Sequence, residues 1–459
     1  MDVIFASARE LAQQIRSRQV SCREVMSAFL AQIARLNPQL NAIVAKLDDD
    51  ACLALADKAD KALGNGGPIG PLHGLPIAFK DLEPAVGFSQ SKGSPIFKNF
   101  MPGADSVLVE RLRRAGTIPI GKSNVPEFGM GSQTYNTVYG TTLNPYDLSK
   151  TAGGSSGGAA VAVSTGMLPL ADGSDLGGSL RNPANFNNIV ALRPSPELVP
   201  VEPTQFHNVF STKGMLARTV DDLSYALGRV ASHNTSQLLA GVAPGIARGA
   251  RVAWCPDLGG LPLDSRVRGI IDGHRKTFED LGCVVEDACP DFGNVDEAFV
   301  TWRQWVSWNT YKDLLERHRD QLKPEAIWEI EAGSSLNAEI AQKAFFALQQ
   351  LMMRVLSFQE RYPFLVCVVN QVPPFDQSEH WPRTIDGVHM ENYISWMKST
   401  YWISATLCPA ISVPAGFTDD GLPVGIQIVG RGGQDFNVLS IGQAFEQATG
   451  FGKRRPPGV

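Results

Sequence analysis

The sequence lacks the features that would place the chain in a membrane or on nucleic acid. It contains no run of about 18 apolar residues, so no transmembrane helix is predicted. The N-terminus, MDVIF, has neither a basic start nor a long apolar core, and we therefore expect no signal peptide. The net charge is −5 and the longest basic run is residues 453–455, which predicts no nucleic-acid partner. Together these absences predict a cytoplasmic protein that does not bind membranes.

Cysteine and histidine lack the spacing of disulfide frameworks and metal sites. The seven cysteines are scattered and odd in number, and no C-x-x-C pair occurs. The seven histidines form no H-E-x-x-H pattern, and the H-x-E at residues 389–391 has no cysteine pair to complete a zinc site. We therefore expect reduced thiols rather than disulfides, and no metal.

The chain is long enough for one large domain or two medium ones, with 459 residues of which 44% are hydrophobic. The apolar pattern predicts helices over residues 7–18, 21–36 and 265–281, with a capping box of Ser21 and Glu24 at the start of the second, and an irregular connection at 232–249. A buried strand is expected over residues 75–81, and a helix over 106–115 is followed by a short strand at 117–121. This alternation of helix and strand predicts an α/β architecture. No repeat or composition shift marks a boundary, so we expect a single domain over residues 1–459. Residues 232–400 are richer in helix and tryptophan, and we interpret them as a cap-like region.

Two glycine-flanked serine motifs stand in the middle of the sequence. The first reads GGSSGG over residues 153–158, and the second reads GSDLGGSLR over residues 173–181. Small apolar residues separate them, so the glycines are expected in a buried segment rather than in a polar linker. Buried glycine permits close approach of the backbone, and a serine held there beside free N–H groups is a candidate nucleophile.

The residues alone leave three interpretations of these motifs. A G-x-S-x-G nucleophile elbow would need a strand just before Ser155, whereas residues 144–150 have the composition of a turn. The glycine-rich loops would also suit phosphate binding in a non-catalytic protein. In the third interpretation Ser179 is the nucleophile and Lys80 its base, because Lys80 ends an apolar strand and burial favours a neutral lysine. Ser155 would then pass the proton between them.

The motifs together resemble those of the amidase signature family. The resemblance rests on residues 153–195, on GLPIAFKD at 74–81, on GKSNVPEF at 121–128 and on the closing strands within 409–430. It implies an α/β/α sandwich, in which a large mixed central β-sheet is flanked by α-helices on both faces. Residues 187–203 depart from the family pattern because they lack its usual glycines.

The resemblance also implies the residues of the active site. Lys80 would be the base, Ser155, usually on a cis peptide bond, the bridging serine, and Ser179 the nucleophile that accepts the acyl group. Water would release the acyl group, with no metal or organic cofactor. Further residues are expected to form the oxyanion hole, to support the loop and to contact the substrate. They are, in that order, the backbone N–H groups of Leu176, Gly177, Gly178 and Ser179; the side chains of Ser156, Asp175 and Arg181; and Phe128, Gly129 and Met130.

Two functions within the family are considered. One is a stand-alone hydrolase of small amides, anilides, carbamates or esters, acting as a monomer or homodimer. The other is the glutaminase component of a tRNA-dependent amidotransferase. A set of aromatic and apolar residues favours an apolar pocket, and hence an aryl amide or carbamate (urethane) hydrolase, although helix packing would also explain the tryptophans. These residues are Phe128, Met130, Trp302, Trp305, Trp308, Trp396, Tyr401 and Trp402.

Overall fold

The computed structural model describes residues 3–67, 69–202, 208–232 and 247–459. Its first helices, α1 (Ala8–Arg16) and α2 (Cys22–Leu40), begin where the sequence predicts them. The side chains of Ser7 and Ser21 each accept a hydrogen bond from the backbone N–H three residues further on. The glutamate side chain at that position in turn accepts a hydrogen bond from the backbone N–H of the serine. These two capping boxes satisfy N–H groups that a helix start leaves unpaired.

The remaining helices pack around the sheets. None of the helices in the described part of the chain combines the length and the hydropathy that a membrane crossing needs. They are α3 (Asp49–Gly64), α4 (Val107–Arg114), α5 (Gly157–Ser164), α6 (Arg181–Phe186), α7 (Val220–Val230), α8 (Ser265–Asp272), α9 (Arg275–Asp280), α10 (Val295–His318), α11 (Pro324–Ala332), α12 (Ala338–Arg361), α13 (Lys398–Ala405) and α14 (Asp435–Thr449).

The strands of the described residues form one large sheet and three small ones. In chain order they are β1 (Ile43–Val44), β2 (Pro76–Lys80), β3 (Ile118–Ser123), β4 (Tyr135–Asn136), β5 (Gly140–Thr141), β6 (Leu170–Asp175), β7 (Val190–Arg193), β8 (Thr212–Ala217), β9 (Arg251–Trp254), β10 (Val284–Asp287), β11 (Phe364–Val368), β12 (Thr384–Ile385), β13 (Val388–His389), β14 (Ala410–Phe417) and β15 (Pro423–Gly430). The large sheet has eight strands in the order β10-β9-β11-β15-β14-β7-β8-β6. Strands β10, β9 and β11 are parallel and the others pair antiparallel, which makes the sheet mixed as predicted.

Helices cover both faces of the central sheet, and β14 shows this directly. Ile411 and Val413 lie against Gly442 of α14. Ser412, between them, lies on the opposite face, where Asn185 of α6 approaches the backbone. Because side chains alternate along a strand, the two helices must pack on opposite sides. The predicted α/β/α sandwich is confirmed.

The helix-rich region from 232 to 400 contributes to the sheet as well as to its cover. Residues 233–246, most of the irregular connection expected at 232–249, lie outside the described residues. Strands β9, β10 and β11 come from this region and form one end of the central sheet. Helices α10 and α11 lie between β10 and β11 in the chain and cover the cavity described below. The region thus supplies three strands of the central sheet as well as helices beside the cavity.

One expectation about the cysteines is wrong. Cys255 and Cys289 form a disulfide, whereas the sequence predicts reduced thiols only. The two residues follow the parallel neighbours β9 and β10, which brings their Cα atoms to 5.4 Å. Their separation of 34 residues gives no local signal of this proximity. Five other cysteines are free and buried: Cys22, Cys52, Cys283, Cys367 and Cys408.

Candidate active site

Lys80 stands at the centre of a buried polar cluster. It is the last residue of β2 and is fully buried. Its Nζ lies 2.9 Å from Ser155 Oγ, 2.8 Å from Ser156 Oγ and 2.9 Å from Ser174 Oγ. Its backbone N–H donates to the Asp172 carboxylate at 3.1 and 3.2 Å, which fixes the end of β2 against β6. Three hydroxyl groups therefore surround one amine.

The environment of Lys80 favours its neutral form. Burial lowers the pKa of Lys80, and the positive charge of Lys213 lowers it further. Glu83, Asp172 and Asp175 act in the opposite direction, and the resulting pKa is about 7. A large fraction of Lys80 is therefore unprotonated near neutral pH and is available to accept a proton.

The first serine motif forms the turn that leads into α5. The peptide bond between Gly154 and Ser155 is cis, and Ser156 is the N-cap residue of α5. The N–H of Ser156 donates to the carbonyl of Ser179 at 3.3 Å, which holds the two serine motifs together. Gly158 has no room for a side chain, since a Cβ there would lie 2.4 Å from the backbone nitrogen of Asn124. The glycines of this motif thus let α5 approach its neighbours closely.

Asp175 organises the loop that carries the second serine. Its carboxylate accepts hydrogen bonds from the N–H groups of Gly178 at 2.8 Å and Leu180 at 3.1 Å. Arg181 and Arg193 lie 3.0 and 3.3 Å from the same carboxylate, and all three side chains are fully buried. These two positive charges hold the pKa of Asp175 well below its ordinary value in spite of burial. The ion triad fixes the loop from Asp175 to Arg181 as one unit.

The same loop presents its backbone N–H groups differently from the expectation. The Gly178 N–H, expected in the oxyanion hole, already donates to Asp175. Within the described part of the chain, the N–H groups of Leu176, Gly177 and Ser179 make no hydrogen bond, so they remain available to a ligand. Gly178 has a φ of +120°, and a Cβ there would lie 2.5 Å from Thr400 Oγ1. Only glycine fits this turn.

A cavity of about 350 Å³ opens onto this cluster. Both Ser155 and Ser179 line it, but their hydroxyl groups are not hydrogen-bonded to each other in the structure, as is common in ligand-free sites. The cavity wall is mixed, with apolar residues beside charged and hydroxyl-bearing ones. The apolar and glycine members are Leu82, Phe128, Gly129, Met130, Leu176, Val306 and Tyr311; the polar ones are Lys92, Ser174, Asn208, Ser211, Lys213, Arg303, Ser307, Thr310 and Glu329.

The expected aromatic pocket is largely absent from this wall. Phe128 lines the cavity and stacks on Tyr311 with ring centroids 4.7 Å apart, but none of the predicted tryptophans lines it. The reason is the helical period of α10. Its cavity residues recur at positions 303, 306, 307, 310 and 311, which is one helix face, and Trp302, Trp305 and Trp308 fall on the other side. Trp302 and Trp308 pack against apolar clusters instead, and Trp396 stacks against Phe186.

Several site residues have no counterpart among the predictions. Asp172 and Ser174 are two residues apart on β6, so their side chains lie on the same face of the sheet, and both contact Lys80. The two-residue period of a strand could therefore have indicated them. Lys213 lines the cavity and forms a buried ion pair with Glu83. Arg303 lies 2.7 Å from Glu329 in a second pair at the cavity wall. These pairs join distant parts of the chain, which the sequence pattern alone does not reveal.

Known proteins resemble this chain over nearly its whole length. An acylamidase of Rhodococcus erythropolis is 32% identical, with 98% of this chain and 97% of the relative covered. A glutamyl-tRNA(Gln) amidotransferase component from a Cyanothece species is 29% identical, with 98% of this chain and all of the relative covered. The crystal structure of a bacterial aryl acylamidase of the amidase signature family superposes with a TM-score of 0.89 at 26% identity, covering 98% of this chain and 99% of that one.

The family model named Amidase matches residues 24–439, a span that contains both serine motifs, the lysine strand and the closing strands. The buried lysine among serines and the central mixed sheet agree with that match. The chain therefore belongs to the amidase family, whose signature it carries, and is a hydrolase of amide C–N bonds.

Proposed function

We propose that this enzyme cleaves small amides through an acyl-enzyme formed on Ser179, with Lys80 as the base acting through Ser155. The observation that carries the proposal is the contact of 2.9 Å between Lys80 Nζ and Ser155 Oγ. A serine needs a base to become a nucleophile, and Lys80, with a pKa of about 7, can serve as one near neutral pH. Ser155 lines the cavity together with Ser179, which supports a role for Ser155 in passing the proton.

The sequence of proton transfers follows from this placement. Ser179 gives its proton to Ser155 as its Oγ bonds to the substrate carbonyl carbon, and Ser155 gives its own proton to neutral Lys80. The oxyanion is stabilised by the N–H groups of Leu176, Gly177 and Ser179. When the C–N bond breaks, the proton returns from Lys80 through Ser155 to the leaving amine. Water then attacks the acyl ester by the same relay and frees Ser179.

The other hydrogen bonds of the Lys80 amine support a positioning role for Ser156 and Ser174. Ser156 and Ser174 accept hydrogen bonds from Nζ and hold the amine towards Ser155. Asp175 and Arg181 support the nucleophile loop and do not line the cavity. Phe128, Gly129 and Met130 line the cavity beside Ser155, and we assign them to substrate contact.

The substitution Ser179→Ala tests the nucleophile. Wild-type enzyme is assayed against a matched set of p-nitrophenyl ester, p-nitroanilide, carbamate and primary amide substrates. We expect Ser179→Ala to abolish release from every substrate that the wild type cleaves, while circular dichroism shows an unchanged fold. Ser334→Ala removes an exposed serine in the turn after α11 that does not line the cavity; it is the matched control and should retain full activity. Turnover by Ser179→Ala would refute the assignment.

A second candidate function is the glutaminase reaction of a tRNA-dependent amidotransferase. The curated relatives support it, since several of them are components of glutamyl-tRNA(Gln) amidotransferases at 29–32% identity. The charged groups Arg303 and Glu329 at the cavity wall are also compatible with a polar substrate. Ammonia release from glutamine, measured beside the anilide and carbamate assays, separates the two. Turnover of glutamine alone would select the glutaminase, and turnover of anilide or carbamate would select the stand-alone hydrolase.

A further inference from the structure

The charges of the cavity wall are not all balanced. Its lining includes four side chains of the charged residue types: Lys92, Lys213, Arg303 and Glu329. Lys213 is paired with Glu83, and Arg303 with Glu329, so these two pairs contribute no net charge. Among the residues that the structure describes, Lys92 makes neither a hydrogen bond nor an ion pair through its Nζ. The cavity therefore carries one uncompensated positive charge.

Lys92 is held at this wall by its backbone. Its carbonyl accepts a hydrogen bond of 2.8 Å from the N–H of Phe128, and Gly129 next to Phe128 packs beside Ser155. The Nζ of Lys92 lies 4.9 Å from the centre of the Phe97 ring, which is in edge contact with Phe128. The ammonium group thus lies beside the Phe97–Phe128 ring pair, next to the apolar part of the wall.

The surroundings of Lys92 offer no protein anion in direct contact within the described ranges. Asp81 is the carboxylate whose field acts on Lys92, but the two groups are beyond ion-pair distance and Asp81 does not line the cavity. The Asp81 carboxylate accepts a hydrogen bond from the Ser91 hydroxyl, and the positive charge of Lys122 also acts on it. Partial burial lowers the pKa of Lys92, and the negative charge of Asp81 opposes this shift only in part. An anion that entered the cavity would stabilise a charge in this position.

We propose that Lys92 is a specificity-determining residue that binds a carboxylate carried by the substrate. The apolar surface of Phe128, Met130 and Tyr311 suits an aliphatic or aromatic body, so the substrate class is an amide with an apolar body and a terminal carboxylate. This inference rests on the proposed function for the reaction but concerns the binding part of the site. The carboxylate could lie on the acyl half or on the amine half, and the test has one arm for each.

Two substrate pairs differ only by a carboxylate in place of a methyl group. Glutaryl and pentanoyl p-nitroanilide place it on the acyl half, and 4-acetamidobenzoate and 4-methylacetanilide place it on the amine half. We expect wild type to prefer the carboxylate in one pair, and Lys92→Met to reduce that preference in kcat/KM by about tenfold to 100-fold, mainly through KM. Lys92→Arg, which keeps the charge, should restore most of it. Lys98→Met removes an exposed lysine outside the cavity and should leave the preference unchanged.

A binding assay separates this inference from the proposed reaction. The same pairs are titrated into Ser179→Ala and into Ser179→Ala/Lys92→Met by calorimetry, which needs no turnover. The inference is supported if Ser179→Ala binds the carboxylate member of a pair more tightly and the additional Lys92→Met substitution weakens that binding by about tenfold to 100-fold. This outcome supports it even if the acyl-enzyme proposal fails. Equal binding of both members in both pairs, or a preference that survives Lys92→Met, overturns it even if Ser179 is the nucleophile.

Discussion

Lys213 pairs with Glu83 in a buried contact beside Lys80, and this pair adjusts the proton affinity of the proposed base. The two charges act on Lys80 in opposite directions. Lys213 lowers the pKa of Lys80 and Glu83 raises it, while burial contributes the largest lowering. Because these two effects oppose each other, the Lys213–Glu83 pair changes the pKa of Lys80 less than Lys213 would alone.

Substitution of Lys213 by methionine is expected to move the pH profile of the enzyme. The pKa of Lys80 should rise, because a repelling positive charge is lost and Glu83 is left as an attracting negative one. The acid limb of kcat/KM should therefore shift to higher pH. The double variant Lys213→Met/Glu83→Gln removes both charges and should move the limb back towards its wild-type position. A limb that does not move in the single variant would contradict the role assigned to this pair.

The wild-type pH dependence should report Lys80 itself. Protonated Lys80 cannot accept a proton, so kcat/KM should be low in acid, rise through a midpoint near 7 and level off above it. Lys80→Met should lose several orders of magnitude of activity, because the relay has no acceptor. The measurement is kcat/KM from about pH 5 to 9 on one anilide. A near-normal rate in Lys80→Met, or a wild-type profile flat across neutrality, would remove lysine from the mechanism.

The buried triad of Asp175, Arg181 and Arg193 should matter strongly for stability. Arg181→Met leaves a buried carboxylate with one partner fewer, and such losses cost about 3–5 kcal/mol in free energy of unfolding. Activity should fall as well, because the loop of Ser179 loses its support. Denaturant unfolding measures the first effect. Arg114→Met, which breaks an exposed pair with Glu110, is the control and should change the unfolding free energy little. Equal effects of the two substitutions would contradict the structural importance of the triad.

The disulfide between Cys255 and Cys289 predicts a definite thiol count. In denaturant without reductant, five of the seven cysteines should react with an alkylating reagent, and all seven should react after reduction. Closure of a 34-residue loop should stabilise the oxidised chain by about 4 kcal/mol, an effect that Cys289→Ser would abolish. Seven reactive thiols without reductant would show that the pair is reduced in the purified protein.

Local signals in the sequence predict much of this fold. Ser21 caps the second helix with Glu24 at the predicted spacing, and the structure shows the same arrangement for Ser7 and Glu10 at the first helix. The antiparallel closing strands β14 and β15 lie where their apolar residues predict. The single helix expected over residues 265–281 is instead two, α8 and α9, because the chain breaks at Gly273. The apolar period continues across this position and does not reveal the break.

Contacts between distant segments are the part that the sequence does not predict. The tryptophans of α10 stand out in the sequence as candidate pocket residues, but the helical period places them away from the cavity. Ser174 and Lys213 reach Lys80 because β6, β8 and β2 come together in space. The disulfide likewise depends on two neighbouring strand ends. Each of these features follows from tertiary placement rather than from local pattern.

The division of the cavity wall between two stretches of chain has a consequence for evolution and engineering. The groups proposed for chemistry lie between residues 80 and 213, whereas the wall residues of α10 and α11 lie between β10 and β11. The chain leaves the sheet at β10 and returns at β11, with β9 alone between them. Residues 288–363 thus form one continuous segment that supplies part of the pocket wall. That part of the wall can diverge between relatives while the groups proposed for chemistry are inherited unchanged.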